Sequence, residues 1–196
     1  GGETAEMPSL YNKGEYDVSG TIIGIVEKDK IIKGANIHEG DLLIGLQSNG
    51  MHTNGYSLAR TVLFSKFKVD DYIEELGHTL GKELLRIHKS YLSVISPLLG
   101  TDMIKGISHI TGGGIIGNTK RIVPNGLKIN INWDSWQIPF IFNLIQNTGN
   151  IEDEEMRSVF NLGIGLIIIV SKEHLDTVLN ILQSEHPTII GEIVKE

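Results

Sequence analysis

Residues 41–60 read DLLIGLQSNGMHTNGYSLAR, and the order of residue types within them decides the fold class. DLLIGLQ is a short apolar run of the length of a buried strand. The SNGMHTNG that follows carries Asn-Gly pairs at 49–50 and 54–55, which mark turns. From Tyr56 the pattern becomes helical, with Leu58, Val62 and Leu63 on one face and Asn54 placed to cap the N-terminus. In α/β architectures ligands favour the loops beyond strand C-terminal ends. Ser48, Asn49, His52, Thr53 and Asn54 are therefore candidate binding groups. The plainer alternative is a loop whose Asn and Gly residues supply positive-φ turns and a cap.

Working outward, TIIGIV at 21–26 reads as a buried strand, and the polar, turn-rich stretch 34–40 as a domain boundary. Downstream, 79–99 reads as helical through Leu80, Leu84, Leu85, Tyr91, Leu92 and Ile95, ending near Pro97. Strands are expected at 104–110, 127–131, 165–170 and 188–194. Helices are expected at about 115–123, at 139–147 with Gly149 after its end, at 151–159 with an acidic first turn, and at 172–183 with Ser171 as N-cap. The irregular alternation gives an α/β (α+β) class with a mixed β-sheet and flanking helices.

Composition narrows the function classes. The chain has 196 residues, no Cys, 17 Lys+Arg against 24 Asp+Glu, and a net charge of -7. Disulfide scaffolds, thiolate zinc sites, Fe–S clusters and cysteine nucleophiles are excluded. The acidic balance argues against a nucleic-acid partner, and no apolar run in the sequence approaches membrane-spanning length. Gly numbers 23 and follows no period, so collagen and solenoid readings fail.

The glycines cluster where chemistry is plausible. His109 and Ile110 lead into Thr111, Gly112, Gly113 and Gly114 before a short helix, where glycine backbone and unpaired N–H groups suit a phosphate. Neither the Walker pattern nor GxGxxG is present, and a tight packing turn remains the alternative. Arg121 either adds a cation or covers the helix surface. Phe160-Asn161-Leu162-Gly163-Ile164-Gly165 clears one face for a backbone or a ligand, and Asn161 needs partners beside a core strand. At the start of the chain, Glu3 and Glu6 are two carboxylates in a Gly-rich loop, able to face Mg²⁺ or to stand solvated. His38, His78, His88, His174 and His186 lack metal-ligand spacing and read as surface or structural. Trp133 and Trp136 read as packing residues.

Four stretches taken in order carry a resemblance: GGETAEMPSLYNKGEYDVSGTIIGIVEKD, GDLLIGLQSNGMHTNGYSLAR, HITGGGIIGNTKRIVP and WQIPFIFNLIQNTGNIEDEEMRSVFNLGIGL. Together they resemble the phosphoribosylformylglycinamidine cyclo-ligase (aminoimidazole ribonucleotide synthetase) family. The resemblance implies that 1–38 end an N-terminal ATP-binding domain and that 39–196 form an AIR-synthetase-like C-terminal domain. It implies a cytoplasmic, homodimeric ligase of de novo purine biosynthesis that uses ATP and Mg²⁺. The γ-phosphoryl group passes to the formyl oxygen of formylglycinamidine ribonucleotide, an internal nitrogen attacks, and phosphate leaves as the imidazole ring of aminoimidazole ribonucleotide closes. Such chemistry rests on positioning and charge neutralisation.

Carried over by motif, Ser48, Asn49, His52, Asn54, Thr111, Gly112, Gly113, Gly114, Asn118 and Asn161 become the substrate or phosphate contacts. Glu3 and Glu6 belong to a cleft on the Mg-ATP side; no catalytic residue is assigned. The chain departs from the family at 86–91, where RIHKSY replaces Thr-Pro-Thr-Arg-Ile-Tyr, and at 117–121, where GNTKR replaces Glu-Asn-Ile-Pro-Arg. The family's upstream ATP-binding segment has no counterpart in these residues, so they are expected to be inactive alone. The competing expectations are a non-catalytic binding scaffold and another ATP-phosphoryl-handling member of the same superfamily.

Overall fold

The structure, a computed structural model, describes Gly14 and residues 20–196. It divides into two units, residues 1–31 and 32–196. In the first, the described residues hold a single 3₁₀ turn, Lys28–Lys30. The strand expected at 21–26 is not formed, and Ile22, Ile23, Ile25 and Val26 are exposed. A β-branched run becomes a strand only when a neighbouring ladder takes its backbone and a layer covers its face, and these residues belong to neither sheet.

The second unit contains the strands β1 Leu42–Gln47, β2 Tyr72–Ile73, β3 His78–Thr79, β4 Ile104–His109, β5 Leu127–Ile131, β6 Ile164–Val170 and β7 Thr188–Lys195. Its helices are α1 Tyr56–Leu63, α2 Leu80–Leu84, α3 Leu92–Ile95, α4 Gly114–Thr119, α5 Phe140–Gly149, α6 Asp153–Val159 and α7 Leu175–Ile181. Five strands form one sheet in the order β4-β6-β1-β7-β5, and β2 and β3 pair separately. The α/β (α+β) class holds, but every ladder is antiparallel rather than mixed.

β6 explains why its sequence shows no alternation. Ile164, Ile167 and Ile169 enter a core with Ile37, Leu43, Ile110 and Ile115, while Leu166, Ile168 and Val170 enter another with Ile44, Leu46, Leu98 and Val178. Both faces of the sheet are covered, so both registers of the strand are apolar. A third core, built from Ala59, Leu63, Leu80, Ile141, Phe142 and Phe160, lies under α1, α2, α5 and α6.

Three local expectations fail for physical reasons. The helix expected over 79–99 stops at Leu84 and resumes at Leu92. Leu80 and Leu84 pack in the third core while Tyr91 and Leu98 pack on the sheet, so one rod cannot serve both; Leu85 and Ile87 in between are exposed. Asn54 does not cap α1, because Gly55, in the left-handed region, is the N-cap. Gly149 lies inside α5, and Asn150, with φ 48°, makes the left-handed stop instead. Ser171 does stand at the N-cap position of the turn before α7, yet its hydroxyl meets the His174 ring at 3.1 Å rather than a backbone N–H.

Candidate functional site

β4, β6 and β1 are neighbours, and their antiparallel order brings three connections to one end of the sheet. These are the loop 48–55 leaving β1, the turn 110–113 leaving β4, and the entry 160–163 into β6. The motifs flagged in sequence therefore meet in space, except Glu3 and Glu6, which lie outside the described residues.

Asn161 ties two of these connections together. Its Oδ1 accepts from Ser48 Oγ at 3.0 Å and from the Gly163 N–H at 2.8 Å, and its Nδ2 donates to the Gly50 carbonyl at 2.9 Å. Asn54 joins the third: its Oδ1 accepts from the Gly112 N–H at 3.0 Å, and its Nδ2 donates to the His52 carbonyl at 2.7 Å. Asn118 is buried and clamps the glycine turn. Its Nδ2 donates to the Gly114 and Thr111 carbonyls at 2.8 and 3.2 Å, and its Oδ1 accepts from Thr111 Oγ1 at 3.0 Å. Asn161, Asn54 and Asn118 thus spend their amides on shaping the loops. Gly112 and Gly113 remain exposed, with the Gly112 N–H taken by Asn54. Arg121 is exposed on the 3₁₀ turn after α4.

Two details show how tightly the loops are held. Gly114 has φ +64°, and a Cβ there would collide with the Arg157 carbonyl oxygen, so only glycine lets α4 start against α6. His52 and Thr53 also have positive φ, 50° and 62°. For a β-branched Thr this is a strained conformation, of the kind that persists where surrounding structure enforces it.

His52 is buried at the centre of this loop and stacks on His88, with ring centroids 4.1 Å apart. His88 Nε2 in turn lies 3.1 Å from His109 Nε2. Sequence spacing gave no sign of this cluster, and His88 had read as surface or structural. Asn49 anchors the His52 ring. Its Nδ2 donates to the Ile87 carbonyl at 2.8 Å, which turns Oδ1 toward His52 Nε2 at 2.7 Å. The Asn49 backbone N–H donates to the same Nε2 at 3.2 Å, so Asn49 grips this ring nitrogen through both its side chain and its backbone. Burial first, then the charges of His88, His109 and Lys89, lower the His52 pKa to about 4. Burial, then His88, lowers that of His109. Both shifts favour the neutral ring at His52 and at His109.

Trp136 is buried and donates Nε1–H to the Leu162 carbonyl at 2.8 Å; the Arg157 guanidinium sits 4.6 Å from the Trp133 ring centroid. Both tryptophans pack, as expected.

Residues 38–196 match the family described as AIR synthase related protein, C-terminal domain. The chain belongs to that family. The AIR synthase related fold also appears in solved structures. E. coli HypE aligns with a TM-score of 0.55 at 19% identity, over 83% of this chain and 46% of that one. Thiamine monophosphate kinase from Aquifex aeolicus aligns at 0.52 and 12% identity, over 84% of this chain and 50% of that one. Among curated relatives, proteins named phosphoribosylformylglycinamidine cyclo-ligase from Alkaliphilus metalliredigens and Syntrophus aciditrophicus are 47% and 50% identical across 100% of this chain. The chain spans 57% of the length of each of them.

Proposed function

We propose that the protein acts in ATP-dependent closure of formylglycinamidine ribonucleotide to aminoimidazole ribonucleotide, as a phosphoribosylformylglycinamidine cyclo-ligase of purine biosynthesis. The observation that carries this reading is 47% identity to a curated cyclo-ligase along the entire chain. The fold alone does not select it, because HypE and thiamine monophosphate kinase share that fold at 19% and 12% identity.

On this reading the second unit supplies positioning. Ser48, Asn49 and His52 form one wall of the ribonucleotide site, Asn54 steadies it by holding the Gly112 N–H and the His52 carbonyl, and the exposed backbone at Gly113 receives a phosphate. Thr111, Gly114, Asn118 and Asn161 hold that backbone in place through the bonds described above. A phosphorylated intermediate decays to water unless bound groups exclude it and align the attacking nitrogen, which is what preset loops supply. ATP supplies the phosphoryl group. The described residues bring no group of three or more carboxylates together, so no Mg²⁺ position is assigned among them. A cytoplasmic homodimer accompanies this reading; among the described residues no helix is long and apolar enough to cross a membrane.

The test is an assay of the intact protein for ADP release dependent on formylglycinamidine ribonucleotide, with product detected as an aryl amine. Release coupled one-to-one to aminoimidazole ribonucleotide supports the reading. Ribonucleotide binding by calorimetry without any turnover would favour the scaffold alternative.

A further inference from the structure

We propose that His52, His88 and His109 form a three-imidazole site for a divalent transition-metal ion, with Zn²⁺ the best fit. The inference shares His52 with the ribonucleotide wall of the ring-closure reading, but its test does not depend on that reading. Among the described residues this is the one group of three or more His, Asp or Glu side chains close enough to share an ion. One ring nitrogen of each lies within 4.8 Å of the others.

The donor set is chemically specific. Three imidazoles without a carboxylate suit zinc, copper or nickel and not magnesium or calcium. In a tetrahedral zinc site with Zn–N near 2.0–2.1 Å, two ligand nitrogens stand about 3.3 Å apart. His88 Nε2 and His109 Nε2 are already 3.1 Å apart. The remaining closure falls to the rings free to turn, since His109 is exposed and His88 half-buried, while His52 is held.

His52 has the preparation of a ligand. Its Nε2 is held by Asn49, whose carboxamide oxygen stands 2.7 Å away and whose backbone N–H lies at 3.2 Å, and that amide is anchored on the Ile87 carbonyl. A metal-bound histidine characteristically has its other ring nitrogen fixed by an outer hydrogen-bond partner, which orients the ring. Its Nδ1 is buried and has no hydrogen-bond partner. An orphaned buried polar atom costs free energy, and a coordinated ion would remove that cost. The opposing charge is limited, because the ammonium of Lys89 is paired with the Glu185 carboxylate. Three protein ligands leave one tetrahedral position open for water or for an oxygen of a bound molecule.

The experiment is a titration of the intact, tag-free, chelator-stripped protein with Co²⁺, followed by its visible d–d bands, and with Zn²⁺, followed by calorimetry. One ion per chain is expected, with intense bands of tetrahedral Co²⁺. His88→Ala and His109→Ala should each weaken binding by at least about tenfold, and His38→Ala should leave it unchanged. Circular dichroism confirms that each variant is folded, and His109, being exposed, is the safer of the two ligand positions. Absence of stoichiometric uptake, or uptake unaffected by both ligand substitutions, overturns the proposal.

Discussion

Asn161 and His52 are the residues on which the site's geometry turns, and each makes a separate measurement possible. Removing the Asn161 amide leaves the buried Gly163 N–H, the Gly50 carbonyl and the Ser48 hydroxyl without their partner. Unsatisfied buried groups cost about 1–3 kcal/mol each, partly recovered by water. Asn161→Ala is therefore expected to lower stability by about 2–4 kcal/mol in urea denaturation. Asn161→Asp, which keeps Oδ1 as an acceptor, should lose less. His52 has its pKa lowered to about 4 by burial and neighbouring positive groups. Its ordinary value in an unfolded chain is about 6.5. Between these values the unfolded state binds the proton and the folded state does not, so stability falls as pH drops from about 6.5 to 4 and then levels. The expected loss is on the order of 3 kcal/mol, measured with chelator present. His52→Gln should flatten that part of the profile. The need of Asn161 for partners was legible in sequence, because a polar amide beside an apolar strand must be satisfied. The His88 and His109 neighbours of His52 were not, because nothing local relates them and only strand order brings them together.

Helix α4 shows what glycine does at the scale of an element. Gly114 and Gly117 lie one turn apart in the same helix, yet their surroundings are opposite. Gly114 has φ +64° and its missing Cβ is occupied by the Arg157 backbone; Gly117 has nothing within 4 Å. Gly114→Ala should push α4 off α6 and cost about 2–4 kcal/mol in thermal or urea unfolding. Gly117→Ala should be neutral or stabilising by up to about 1 kcal/mol, since alanine is the better helix former. Periodicity located β1, α1, β5, β6 and β7 well because each of them commits one apolar pattern to fixed neighbours. It failed at 79–99 because the apolar residues there serve two different cores, and a one-dimensional pattern does not say to which core a leucine belongs. It failed at 21–26 because strand propensity does not supply a pairing partner. The mixed sheet failed because it rested on the irregular alternation of strands and helices, and the order of elements along the chain does not give the direction in which neighbouring strands pair.

At the scale of the whole molecule, the order of strands matters more than any single motif. Placing β6 between β4 and β1 makes neighbours of loops far apart in the chain, and three asparagines then lock them. Sequence motifs named these loops in advance, but the roles within them shift. Asn118, Asn161 and Asn54 build the framework, and Gly112 and Gly113 stay exposed beside it. Family membership follows from residues 38–196. The ring-closing activity rests on the relatives' names and on this arrangement. The most direct test of that central claim is hydrogen–deuterium exchange on the intact protein with and without saturating formylglycinamidine ribonucleotide. The account predicts that ligand slows exchange in peptides covering 48–55 and 110–114, while β5 and α7 are unchanged. Exchange that stays the same in both of those loops, or protection confined to other segments, would contradict it.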